Sequence, residues 1–147
     1  MAYDKDNIFA RIIRGEIPCH RVYEDADTIA FMDIMPQAEG HTLVVPKVAG
    51  EDILTTPPGS LAAAIRTAQK VARAVKQVFS PPGVMIAQLN GAAAGQSVFH
   101  LHFHVIPRHA GKDLGIHVAT PADPKLLAEH AARLRAALSG ADHDDEQ

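Results

Sequence analysis

Residues 97–109 read SVFHLHFHVIPRH, a run in which His100, His102 and His104 alternate with Leu101, Phe103 and Val105. On an extended strand successive side chains point to opposite faces, so this spacing predicts a strand over 97–107 with three imidazoles on one side. The rise of about 3.3 Å per residue sets those imidazoles roughly 6 to 7 Å apart. Each ring carries a donor and an acceptor that burial leaves costly without partners. Three in alternation is therefore an unusual core pattern, although one alone would be ordinary. Two chemical readings stand beside the core one. Alternating histidines can converge on a metal, but a zinc site needs further ligands, and the nearest, His109 and His117, lie beyond Pro107. Alternatively, a neutral central imidazole attacks phosphorus while its neighbours hold the ring and the phosphoryl oxygens. With an ordinary pKa near 6.5, histidine is mostly neutral at pH 7 and able to do so.

The preceding loop, NGAAAGQ over 90–96, consists mostly of small residues that let backbone N–H groups approach an anion, with Gln96 and Ser97 as side-chain donors. It is not a Walker A loop: the spacing is one residue short, no lysine follows the second glycine, and a strand follows where a helix is required.

Around this stretch the chain reads as one domain. Its 147 residues are 47% hydrophobic, enough for one buried core. A formal charge of −3 gives no basic excess for binding nucleic acid, while small anionic ligands stay open. Cys19 is the single cysteine, which excludes an internal disulfide and any multi-cysteine site, and fits a reducing compartment. The polar start MAYDKDN is unlike a signal peptide, and no apolar run is long enough to span a membrane, so a cytoplasmic location is expected.

Asn7–Arg14 (NIFARIIR) has helical apolar spacing behind an Asn7 cap and before Gly15. Residues 20–24 and 28–34 read as a hairpin about DAD, and HTLVVP at 41–46 as a third strand. Residues 60–79 form the long amphipathic helix, ended by Pro81, Pro82 and Gly83, with VMIAQLN (84–90) as the fourth strand. Asp123 and Pro124 open a last helix through Leu138. Residues 139–147, SGADHDDEQ, read as a disordered acidic tail after a domain spanning 1–138.

HLHFHVI at 100–106 resembles the signature of the histidine triad (HIT) family, in which three histidines alternate with apolar residues. NIFARIIRGEIP, VYEDADTIAFMDIMPQAEGHTLVVPK and NGAAAGQSVFHLHFHVIPR resemble it too, closest to the Hint-like nucleotide-binding branch and its bacterial relatives. These segments fall in the right order over about three quarters of the chain.

That resemblance implies an α+β fold: a five-stranded antiparallel sheet with one long central helix, a short N-terminal helix and a C-terminal helix, assembled as a homodimer. It implies a purine nucleotide or nucleoside phosphoramidate as substrate, cleaved through a nucleotidyl intermediate on His102. His100, His104 and His41 would complete the histidine cluster, and Ser97 and Gln96 would contact the phosphate or the leaving group. Asp33 would accept the ribose hydroxyls. Ile8, Phe9, Ile12, Phe31, Ile34 and Leu43 would wall the base, with Asn90 and Gly95 beside the phosphate and ribose. Dinucleoside polyphosphate hydrolysis, or nucleotide binding with little turnover, would use the same residues.

Two departures matter. Many bacterial relatives hold a structural zinc with two N-terminal cysteines and later histidines; here residues 7–10 have no cysteine and PKVAGED lacks the usual histidine. No metal or other cofactor is expected. The segment HVIPRHAGKDLG also differs from the short tail of the Hint proteins proper. His20, His109, His117, His130 and His143 are scattered and carry no assigned role.

Overall fold

A computed structural model describes residues 3–111 and 120–145, with side chains described through residue 140. The Asn7 side chain accepts the Ala10 N–H at 2.9 Å and caps a first helix, α1 (Ile8–Ile13). A hairpin follows, β1 (Arg21–Glu24) and β2 (Thr28–Met32). Its turn is set by the Asp25 carboxylate, which accepts the N–H groups of Asp27 and Thr28. Then come β3 (Thr42–Pro46), the long helix α2 (Pro58–Phe79), β4 (Gly83–Ala87), a short 3₁₀ turn (Ala92–Ala94), β5 (Phe103–Arg108) and α3 (Pro124–Asp145).

The strands form one five-stranded antiparallel sheet in the order β1-β2-β3-β5-β4. Together with the helices it is the α+β architecture expected. Strands β2 and β3 are buried on both faces, and alternation divides their side chains between two apolar layers. Ala30, Met32, Val44, Phe103 and Val105 face α2 and α3, packing with Ala64, Val71, Val75 and Leu134. Ile29, Phe31, Leu43 and Val45 face the other way, where Phe9 of α1 covers them. The second layer lies beside the histidines.

Three boundaries differ from the sequence reading by three residues or more. The strand expected over 97–107 begins only at Phe103, so His100 and His102 precede it and His104 alone lies within it. The cause is at Pro46: β3 pairs with β5 through Val44↔Phe103, and a proline two residues on has no N–H to extend the ladder. Leu101 instead gives its N–H to Gly50 O at 2.8 Å. Side-chain alternation nevertheless survives the break, because Leu101, Phe103 and Val105 all enter the core under α2. Strand β4 stops at Ala87, and the side chains of Gln88 and Asn90 bond to each other instead. Helix α3 continues past Leu138 to Asp145, over most of the stretch read as a tail; residues 146 and 147 lie outside the described residues.

Candidate active site

His104 on β5 sits opposite Leu43 on β3, and Leu43 opposite Phe31 on β2. Directly opposed residues share a face, so one row across the sheet carries an imidazole at one end and apolar side chains behind it. His41 immediately precedes β3. Its carbonyl accepts the Asp33 N–H at 3.0 Å, which places Asp33 beside the row. Residues 33, 41 and 104, distant in sequence, are thus brought together by sheet register.

Hydrogen bonds fix the state of each ring. His102 Nδ1 lies 2.7 Å from the His100 carbonyl oxygen, and a carbonyl only accepts, so Nδ1 carries the proton. Nε2 of His102 therefore bears the lone pair. Burial pushes the pKa of His102 down to about 4, against the opposing pull of the His100 carbonyl. The ring is neutral at pH 7. The edge of Phe9 packs against it at 4.9 Å between centroids.

His41 Nδ1 accepts the Gln37 N–H at 3.1 Å, which puts its own proton on Nε2, 3.0 Å from His104 Nδ1. His104 then carries its proton on Nε2 as an outward donor. Burial lowers the pKa of His104 and, more strongly, that of His41, to about 3. Asp33 Oδ2 stands 3.5 Å from His41 Nε2. Burial raises the Asp33 pKa while the Met35 N–H on Oδ1 opposes the rise.

His100 differs from its neighbours. Its Nε2 donates to Pro46 O at 2.7 Å and its Nδ1 takes the Tyr3 hydroxyl at 2.6 Å, so both nitrogens are engaged within the protein. The expected trio therefore divides into a nucleophile-competent ring (His102), a donor (His104) and a brace (His100).

Among the other expected residues, Phe31 and Leu43 form a buried patch with Phe9, and Ile12 packs on it. Ile8 and Ile34 are 44% and 51% exposed and lie outside that patch. Ser97 is exposed. Gln96 is buried, its Nε2 donating to Glu51 O and Val98 O and its Oε1 accepting the Gly91 N–H. Both amide hydrogens are thus used in shaping the loop, which assigns Gln96 to loop structure rather than phosphate contact. Asn90 likewise accepts the Ile53 N–H. The loop amides expected to face an anion are partly committed too, since those of Ala94, Gly95 and Gln96 bond to Gly91 or Ala92 carbonyls. Gly95 has φ +100°, which suits glycine and closes this turn. A cavity of about 640 Å³ between α1, β1 and α3 includes Ile12 but none of the four clustered histidines.

The sequence reading did not single out Tyr3, the Gln37 N–H or the Pro46 carbonyl. The last two are backbone groups and leave no trace in composition. Tyr3 offered only the signal of an aromatic residue in an otherwise polar leader.

Asp33, His41 and His104 also form the one grouping among the described residues whose ligand atoms, all within 4.8 Å of one another, could surround a cation. The tautomer speaks against that use. With Gln37 N–H on Nδ1, His41 presents a protonated Nε2, whereas a ligating histidine offers a lone pair there and donates from its other nitrogen. These three residues do not fit a resident metal, and no chemistry here is routed through one.

The family model for the HIT domain matches residues 14–111. The chain belongs to the HIT domain family. "Protein hit" of Bacillus subtilis is 42% identical over 106 residues, covering 72% of this chain and 73% of that protein. Adenylylsulfatase HINT3 of Arabidopsis thaliana is 38% identical over 103 residues, 70% of this chain and 52% of that protein. Among solved structures, a HIT-like protein of Bartonella henselae superimposes with a TM-score of 0.89 at 50% identity, covering 93% of this chain and 99% of that one. A zinc-bound histidine triad family protein of Mycobacterium smegmatis follows at 0.83 and 38%, covering 95% and 97%. Membership in the HIT domain family agrees with the tight ring cluster: the histidines that define its signature are those that the fold gathers.

Proposed function

We propose that this HIT domain protein hydrolyses purine nucleoside phosphoramidates or related nucleotides through a covalent intermediate on His102. The observation that carries the reading is the 2.7 Å contact of His102 Nδ1 with the His100 carbonyl, which leaves a neutral Nε2 lone pair for attack. Nε2 bonds to the α-phosphorus, and the bond from phosphorus to the leaving nitrogen breaks. The amine departs with a proton taken from solvent, and the Ser97 hydroxyl contacts the leaving group. His104 donates from Nε2 to a phosphoryl oxygen, its orientation held by His41. Water then adds to phosphorus, the bond to Nε2 breaks, and the water's proton returns to solvent with release of the nucleoside monophosphate.

Asp33 Oδ2 accepts the ribose hydroxyls, since Oδ1 already holds the Met35 N–H. Phe9, Ile12, Phe31 and Leu43 take the base, with Ile8 and Ile34 as an outer rim. Asn90 and Gly95 shape the loop next to the phosphate. The Arabidopsis relative is an adenylylsulfatase by name, so an adenylyl sulfate belongs among the substrates to be tried.

The working unit in this proposal is a homodimer in the cytoplasm. β4 is an edge strand with Ile86 43% exposed, and Ile65 on α2 is 50% exposed, so a second copy would cover both. Sedimentation should give a dimer that Ile65→Asp with Ile86→Asp converts to monomer; an unchanged mass for that variant removes the assignment. Among the described residues no helix is long and apolar enough to cross a membrane.

The deciding experiment is hydrolysis of an adenosine phosphoramidate in excess chelator. Turnover by the wild type, a nucleotidyl adduct on His102 by mass spectrometry, and loss of both in His102→Ala are expected. Undiminished turnover by that variant would dismiss the mechanism, and tight nucleotide binding without any adduct would make the protein a binding module.

A further inference from the structure

The segment from Val98 to His102 carries the nucleophile yet lies outside the sheet, so something other than ladder pairing must hold it. One such hold is Leu101 N–H on Gly50 O. Another is the His100 ring, which spans from Pro46 O at the end of β3 to the Tyr3 hydroxyl in the leader ahead of α1. The Tyr3 and His100 rings meet edge to face, 5.6 Å between centroids at 62°. The leader is itself fixed: Asp4 O accepts the backbone and side-chain N–H groups of Asn7, and Lys5 O accepts from Arg14 Nη1 at 2.6 Å. It is thereby tied to α1, whose Phe9 rests on His102.

Resting on the function proposed above, we infer that Tyr3 is a positioning residue for nucleotidyl transfer, acting through His100 on the orientation of His102. Pro46 O can only accept, so a neutral His100 must place its proton on Nε2 and its lone pair on Nδ1. The Tyr3 hydroxyl donates to that lone pair and stabilises this tautomer. Without it, a buried Nδ1 loses its partner, and the alternative tautomer sets an Nε2 lone pair against the Pro46 carbonyl. Either change shifts the residue whose own carbonyl orients His102 Nδ1–H. The nucleotide's ribose and base contacts lie on Asp33 and the Phe9 patch, so Tyr3 governs the chemical step and leaves binding alone.

The test is Tyr3→Phe, which removes only the hydroxyl. Loss of one net hydrogen bond predicts a fall in kcat of about two- to tenfold with KM unchanged. Nitrogen-15 NMR of the imidazoles should show wild-type His100 protonated at Nε2, with the Nδ1 resonance displaced in Tyr3→Phe. In a His100→Ala background, Tyr3→Phe should lower kcat no further. An unaltered kcat, an unaltered Nδ1 resonance, or an additive loss in the double variant overturns the inference. If Tyr3→Phe does not fold, the wild-type spectrum decides: a hydrogen-bond coupling between the Tyr3 hydroxyl and His100 Nδ1 supports the role, and its absence, or a proton carried on Nδ1, refutes it. Absence of wild-type turnover would refute the proposed function instead, and the Nδ1 resonance would still test the link between Tyr3 and His100.

Discussion

His41 Nε2 lies 3.0 Å from His104 Nδ1, joining a residue ahead of β3 to one inside β5 and fixing the tautomer of both. Because the Gln37 N–H occupies the other nitrogen of His41, the proton sits on Nε2, where His104 Nδ1 at 3.0 Å is the nearer acceptor and Asp33 Oδ2 stands at 3.5 Å. In consequence His104 faces outward as a donor without either ring being charged.

His41→Phe should therefore lower kcat by about fivefold or more, because His104 Nδ1 is left without its donor in a partly buried setting, which costs about 1–3 kcal/mol. Steady-state kinetics on an adenosine phosphoramidate would show it. A His41→Phe protein with wild-type kcat would mean that His104 needs no such partner.

The acid limb of kcat/KM should fall near pH 4 rather than near 6.5. His102 attacks as the neutral ring, and burial holds its folded pKa at about 4, so activity is lost only as the pH falls through that value. A pH profile over the folded range measures this, and a limb centred near 6.5 would contradict a buried nucleophile.

Stability should move with pH in the same direction but over a different window. Above 6.5 His41 and His102 are neutral in both the folded and the unfolded chain and contribute no pH dependence. Below it the unfolded chain takes up protons that the folded protein refuses until about pH 4 for His102 and about pH 3 for His41. Thermal unfolding should accordingly show Tm falling as the pH drops from 6.5 toward 4, and less steeply in a His41→Phe, His102→Phe double variant.

Asp33→Asn should raise KM about tenfold or more for a ribonucleotide substrate, the cost of a charged hydrogen-bond acceptor being about 1.5–3 kcal/mol. The same variant should discriminate less between ribo and 2′-deoxy substrates. Equal KM values for wild type and variant would separate Asp33 from ribose binding.

Gly40→Ala should destabilise the fold more than Gly15→Ala does. Both positions have positive φ, +91° and +78°, so both strain an added side chain. At Gly40 the new Cβ would also stand 2.7 Å from the Phe79 ring, while at Gly15 it meets nothing within 4 Å. Crowding of that kind typically costs about 1–3 kcal/mol. Denaturant unfolding compares the two, and because His41 follows Gly40, the first substitution should also reduce turnover.

Periodicity placed the elements, since an apolar repeat of two or of three to four residues is written locally in the chain. The same alternation correctly separated His100, His102 and His104 from Leu101, Phe103 and Val105. It did not show that the strand begins only at Phe103, because that depends on a partner strand ending in Pro46. Nor could it divide the labour among the rings: which nitrogen holds a proton is decided by Pro46 O, His100 O, the Gln37 N–H and the Tyr3 hydroxyl. The case of Gln96 is similar, its donor chemistry evident in the sequence and its use decided by Glu51 O and Val98 O.

By itself, then, the sequence determined the sheet-and-helix composition, the family signature and the face on which the histidines gather, because those follow from residue type and spacing. Tertiary structure alone decided the tautomer of each imidazole, the pairing of His41 with His104 and the clamp from Tyr3. The His41–His104 pair and the links from His100 to Pro46 and Tyr3 join groups far apart in the chain, and the short-range contacts of His102 with His100 O and of His41 with the Gln37 N–H depend on the local turn of the folded backbone. All of them need that backbone to bring donor and acceptor within hydrogen-bonding distance.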